Sequence, residues 1–147
     1  MQKKKVLFII LPYIVTQKKY LMRSFLTIPY GVLSIATFIK DIADIEVFDC
    51  NLSNGYAANL GSILQGMKYD VIGISMMFDN SYSHLKGITE TVKYFNPEAK
   101  ILLGGAATTF SYKEILEQNP DIDAICYGEG EWPMRDLIRW NGIYTRG

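Results

Sequence analysis

Five short apolar runs punctuate the chain, at residues 6–11, 45–48, 71–75, 101–103 and 124–127, and a stretch with helical spacing follows each. Most of these runs are continuously apolar and do not alternate with polar residues. Such runs suit strands covered on both faces, as in a parallel sheet. Val32, Leu33, Ile35, Ala36 and Ile39 mark the apolar face of one helix, and Leu85, Ile88, Val92 and Phe95 that of another. Shorter helices are expected over 112–117 and 134–138. Strands and helices alternating through short connections predict a parallel sheet with helices on both faces. Five such units fit a flavodoxin-like (Rossmann-like) α/β domain with strand order 2-1-3-4-5.

The length, 147 residues, suits one domain with a real core. We expect it to occupy residues 1–140, with 141–147 beginning a linker to a further C-terminal domain, because that tail has too little apolar content to close a fold. A formal net charge of zero gives no reason to expect nucleic acid or an anionic membrane as a partner. No apolar run approaches the roughly 20 residues needed to span a bilayer. The two cysteines, Cys50 and Cys126, are far apart. They point to a reduced, cytoplasmic protein and not to a disulfide scaffold.

In such sheets ligands bind beyond the carboxyl ends of the strands, near the switch in strand order. Those ends read LPYIV, FDCNLSN, ISMMFDN, LGGAATTF and YGEGEWP. None has the phosphate-binding Gly-x4-Gly-Lys-Ser/Thr loop. Gly128-Glu129-Gly130 runs into Pro133 where a dinucleotide fingerprint asks for its third glycine. A phospho-accepting receiver domain needs acidic residues after the first strand, an aspartate after the third and a lysine after the fifth. Leu11-Pro12, Ser75-Met76 and Tyr127-Gly128 stand there instead. A flavodoxin would need a Ser/Thr-rich first loop, and LPYIVTQKKY offers only Thr16. The single histidine, His84, reads as a surface residue at a helix start that Ser81 or Ser83 can cap. No serine sits in a recognisable nucleophile motif.

What remains is small and polar residues at three neighbouring strand ends: Ser75, then Gly104-Gly105, then Gly128 to Glu131. Together they leave a slot bordered by backbone, suited to a flat or tail-shaped ligand. The long loop over 11–28, with Tyr13, Lys18, Lys19, Tyr20, Arg23 and Phe25, is long enough to be functional.

The segments PYGVLSIATFIKD, IEVFDCNL, YDVIGISMMF and NPEAKILLGGAATTFSYKEILEQNPDIDAICYGEGEWP follow one another in a familiar order. Over residues 5–139 the chain resembles the N-terminal cobalamin-binding domain of cobalamin-dependent radical S-adenosylmethionine enzymes, many of them methyltransferases. The Gly-Gly-x-x-x-Thr segment and GEGE carry most of the likeness. The resemblance implies cobalamin with its nucleotide tail drawn away from cobalt and threaded into the sheet. Ser75, Met76, Met77, Gly104 and Gly105 would flank the tail, with Ala106 and Thr108 in the same segment. Tyr127, Gly128, Glu129, Gly130 and Glu131 would border its pocket, and the corrin would rest near Pro12, Tyr13, Met77 and Phe78.

Two departures from the wider family matter. Where related domains carry Asp-x-His-x-x-Gly and bind cobalt through the histidine, this chain has Asp49-Cys50-Asn51. Asn51 is a poor cobalt ligand, which implies base-off cobalamin without a histidine in place of its base. The iron–sulfur cluster of the radical enzymes needs three close cysteines, so the [4Fe-4S] cluster and S-adenosylmethionine would belong to an absent radical domain, the expected partner. The implied role is a module presenting cobalamin for methyl transfer or related radical chemistry. The alternative is a cobalamin-free scaffold or interaction domain of the same fold.

Overall fold

The computed structural model describes residues 2–13, 28–52, 54–108 and 111–140. The expected tail at 141–147, most of the loop over 11–28 and the threonine that closes the Gly-Gly-x-x-x-Thr segment lie outside the described residues. Five strands form one sheet: β1 (Lys4–Ile10), β2 (Ala43–Asp49), β3 (Val71–Ser75), β4 (Lys100–Gly104) and β5 (Ala124–Ile125). Every pairing is parallel, and the order is β2-β1-β3-β4-β5, as the sequence pattern predicts. The helices are α1 (Tyr30–Ile39), α2 (Tyr56–Gly66), α3 (Tyr82–Phe95), α4 (Tyr112–Gln118) and α5 (Glu131–Arg139).

Strand alternation sorts the core into two layers. Leu7, Ile9 and Leu11 point to one face, with Ile72, Ile74, Met76, Ile101 and Leu103, and pack against Leu60 and Leu64 of α2, Leu85 and Ile88 of α3 and Ile115 of α4. Val6, Phe8, Ile10, Val71 and Leu102 point to the other, where Val32 and Ile39 of α1 and Met134, Leu137 and Ile138 of α5 cover them. Full burial of each such side chain contributes roughly 1.5–3 kcal/mol. The central strands are therefore apolar on both sides.

Four details differ from the sequence reading. β5 ends at Ile125, so Cys126 and Tyr127 belong to the following loop. α2 was the one helix without a marked face, because Leu60 and Leu64 alone are buried there, too sparse a stripe to stand out. Ser81 occupies the N-cap of α3 but makes no side-chain capping bond, and Ser83 lies inside the helix. His84 is not a free surface residue, since its Nδ1 lies 2.9 Å from the Tyr56 hydroxyl.

Candidate functional site

Strand register sets the site. Ile10, Ser75 and Gly104 form a row across the carboxyl ends of β1, β3 and β4. Two residues down each strand, on the same face, Phe8, Gly73 and Leu102 form a second row, roughly 6–7 Å deeper at the usual strand rise. α1 and α5 flank these rows: Gly31, Val32 and Ile35 of the first and Glu131 and Met134 of the second face the same space. Between these helices and the two rows lies a cavity of about 230 Å³, reached by Ser75, Met77, Gly104, Gly105 and the Gly128–Glu131 segment. A second cleft of about 480 Å³ lies over the strand ends, bordered by Tyr13, Pro29, Asp49, Met77 and Phe78. Gly31, Val32, Ser75 and Met77 line both, so slot and cleft adjoin.

The glycines at the end of β4 serve different ends. Gly105 has φ +111°, and a Cβ there would lie 2.4 Å from the Met76 carbonyl oxygen. Its smallness is required by the chain's own loop, where Met76 N donates to Gly104 O at 2.8 Å and Ala107 N to Met76 O at 3.2 Å. A Cβ at Gly104 would meet only Cys126 Cβ, at 3.7 Å, an ordinary contact. Gly104 is thus the glycine whose missing side chain leaves slot space.

The rim is tied by polar contacts. Ser34 Oγ of α1 donates to Glu131 Oε1 of α5 at 2.7 Å, joining the two helices that wall the slot. Cys126 lies 7% exposed in the slot wall, its Sγ 3.5 Å from the Glu129 carbonyl oxygen. Burial, and then the nearby Glu131 charge, push the Cys126 thiol above its ordinary range and keep it neutral. Over the cleft, the Tyr13 and Phe78 rings pack with centroids 5.1 Å apart.

Several expected contact residues stand elsewhere. Met76 is 2% exposed in the opposite core layer, because strand alternation sends it away from the face that Ser75 and Met77 share. Thr108 is fully buried and donates through Oγ1 to Gly105 O at 2.7 Å, holding the loop. Ala106 is exposed on that loop, and Tyr127, 72% exposed, leans on Tyr112. Pro12 is half-buried beside Tyr13 without lining the cleft. Asn51 is a staple: Oδ1 accepts from Tyr13 N at 3.0 Å, and Nδ2 donates to Leu11 O at 3.1 Å and Asp49 Oδ1 at 2.8 Å.

The slot also uses residues that motif reading passes over, chiefly Phe8, Ile35, Gly73, Leu102, Cys126 and Met134. Gly73 carried a signal, since a glycine inside a strand marks a close approach. A Cβ there would lie 2.6 Å from the Phe8 ring.

A parallel α/β sheet with an adjoining slot and cleft at its strand ends defines a small-ligand-binding domain of the flavodoxin-like class. The chain belongs to the B12 binding domain family, whose profile matches residues 23–138. It is 35% identical over 112 residues to the anaerobic magnesium-protoporphyrin IX monomethyl ester cyclase of Rubrivivax gelatinosus, a match covering 75% of this chain and 20% of that protein. It is 23% identical over 110 residues to an uncharacterized methyltransferase of Pyrococcus horikoshii, covering 75% of this chain and 24% of that one. The chain therefore spans about a fifth to a quarter of these curated relatives.

Among solved structures, the cobalamin-dependent S-adenosylmethionine radical enzyme OxsB with aqua-cobalamin bound superposes with a TM-score of 0.71 at 20% identity, over 94% of this chain and 19% of that one. The BeF3-activated DrrB receiver domain superposes at 0.58 with 8% identity, over 95% of this chain and all of that one. At such identities the likeness is one of fold. Among the described residues no helix is long and apolar enough to cross a membrane.

Proposed function

We propose that this chain is a cobalamin-binding module in which the corrin rests over the cleft and the displaced nucleotide tail enters the slot. The observation that carries this reading is that two cavities share Ser75 and Met77 as common wall at the strand ends of a B12-binding domain. The cradle suits the group: Gly104 leaves space beside the tail, and the wall is largely backbone and apolar side chain, with Ser75, Glu129 and Glu131 also lining it. Bound cobalamin would supply the cobalt-centred alkyl-transfer or radical chemistry. The protein binds and orients it and keeps water from its lower face.

Base-off binding without a histidine ligand follows from the same site. The chain's single histidine, His84, is paired with Tyr56 on the α2–α3 side of the sheet. Asn51, at the position of the ligand histidine in related domains, has its amide committed to Tyr13, Leu11 and Asp49. The whole polypeptide would be a radical S-adenosylmethionine enzyme of methyltransferase type, in keeping with the Pyrococcus relative and the OxsB fold. Its [4Fe-4S] cluster and S-adenosylmethionine would be held by residues beyond this domain, since Cys50 and Cys126 are both buried and far apart.

The test is a visible-absorption titration of the purified chain with hydroxocobalamin, followed by gel filtration. Coelution with a base-off spectrum is expected. Cobalamin left with the small molecules would overturn the reading in favour of a cobalamin-free scaffold of the same fold.

A further inference from the structure

The two rows that frame the slot differ in chemistry. The upper row offers Ser75 and the backbone around Gly104, and Glu129 and Glu131, in the loop and first turn of α5, line the same slot. The lower row, Phe8, Gly73 and Leu102, is apolar, and Met134 closes on it from α5, its Cε 3.0 Å from where a Gly73 Cβ would stand. Phe8 and Met134 are 2% exposed and Leu102 7%.

Polar capacity at that depth is already spent. The strand pairings of β1, β3 and β4 run through Phe8, Gly73 and Leu102 and use their backbone groups. Cys126 Sγ faces the Glu129 carbonyl, and Glu131 holds Ser34. Of the polar side chains that line the slot, Ser75, Glu129 and Glu131 belong to its upper part, and none stands in the lower row.

Given the proposed cobalamin reading, on which this step rests, we infer that the slot selects among cobamides by the polarity of the lower base. It takes bases whose inner edge is apolar, such as dimethylbenzimidazole or a cresol, and discriminates against adenine. A tail entering from Ser75 brings its base to the Phe8–Gly73–Leu102 floor. The exocyclic amine of adenine would exchange its water there for the apolar side chains of Phe8, Leu102 and Met134, whereas the methyl groups of dimethylbenzimidazole would be matched by them. An unpartnered buried donor is expected to weaken binding roughly ten- to hundredfold. Size does not produce this order, because adenine is smaller than dimethylbenzimidazole and larger than cresol.

The experiment titrates the full chain, by visible absorption, with cobalamin, cresolyl cobamide, adeninyl cobamide and tail-less cobinamide. Cobalamin and cresolyl cobamide are expected to bind more tightly than adeninyl cobamide, and cobinamide more weakly than cobalamin. Equal affinity for the adeninyl and dimethylbenzimidazolyl forms would overturn the selectivity while leaving the cobalamin reading standing. Cobinamide binding as tightly as cobalamin would overturn it too, by showing that the tail adds nothing. Failure of all four, cobalamin included, would overturn the proposed function and this inference together.

Discussion

The carbonyl oxygen of Met76 stands 2.4 Å from the place a Cβ on Gly105 would occupy, so the loops after β3 and β4 touch backbone to backbone. Gly105→Ala adds an atom against main chain and imposes a left-handed φ on a residue with a side chain. We expect a loss of about 2–4 kcal/mol, read as a lowered midpoint in urea denaturation. An unchanged midpoint would mean the loop rearranges freely.

Gly104 is expected to behave oppositely. Gly104→Ala should fold nearly as well as the parent, because its Cβ meets Cys126 at contact distance. Gly104→Val puts more bulk into the slot and should weaken cobalamin roughly tenfold or more, the effect of occluding a fitted group, with little change in thermal midpoint. Wild-type affinity in the valine variant would place the tail elsewhere.

Asn51 tests the cleft from its other edge. Its side chain ties the end of β1 to Asp49 through three hydrogen bonds. Asn51→Ala should cost about 1–3 kcal/mol and should loosen Tyr13, which a fall in the protection of the Tyr13 amide against hydrogen exchange would report. A change in cobalamin affinity without any loss of stability would instead assign Asn51 to the ligand.

Acid should release the brace between α1 and α5. Asp41 accepts from Arg135 Nη1 and Nη2 at 2.8 and 2.7 Å, and this hydrogen bonding holds its carboxyl at about 2, against an ordinary 3.8. A depressed carboxyl contributes stability that is fully present above its unfolded value and lost as the pH falls from about 4 through about 2. The thermal midpoints of wild type and Asp41→Asn should therefore differ at pH 6 and converge near pH 2. Asp41 is exposed, so the difference should be small and should shrink further in molar salt.

Cys126 can report loading. Its neutral thiol should react slowly with iodoacetamide at pH 7.5, faster as the pH rises above 9, and more slowly again once cobalamin fills the slot. Cys50 serves as an internal control, since burial on the opposite face pushes it up to about 12. Equal labelling of Cys126 with and without cobalamin would place the ligand away from the slot.

The sequence carried the sheet clearly because burial on both faces makes β1, β3 and β4 continuous apolar runs. It carried the upper rim of the slot as well, in Ser75, Gly104 and the Gly128–Glu131 segment. The floor was hidden because it depends on register: nothing local says that Phe8, Gly73 and Leu102 share a row. Parity did hold one unused signal. Ile72, Ile74 and Met76 follow one face of β3 and its extension, while Gly73, Ser75 and Met77 follow the other, which takes Met76 out of the slot. Asn51 was legible only in part, since its position in the motif says nothing of the amide's three local partners.

Ser34 and Glu131 are 97 positions apart, so the hydrogen bond between them joins the first described helix to the last. During synthesis all five strands and the first four helices leave the ribosome before the second wall of the slot does. The slot proposed for the tail is thus the last part of the described fold to be completed. A chain cut before α5 would carry strands with nowhere to lodge a nucleotide. Occupancy by the ligand would then certify that translation had passed Glu131 and that the two distant helices had met.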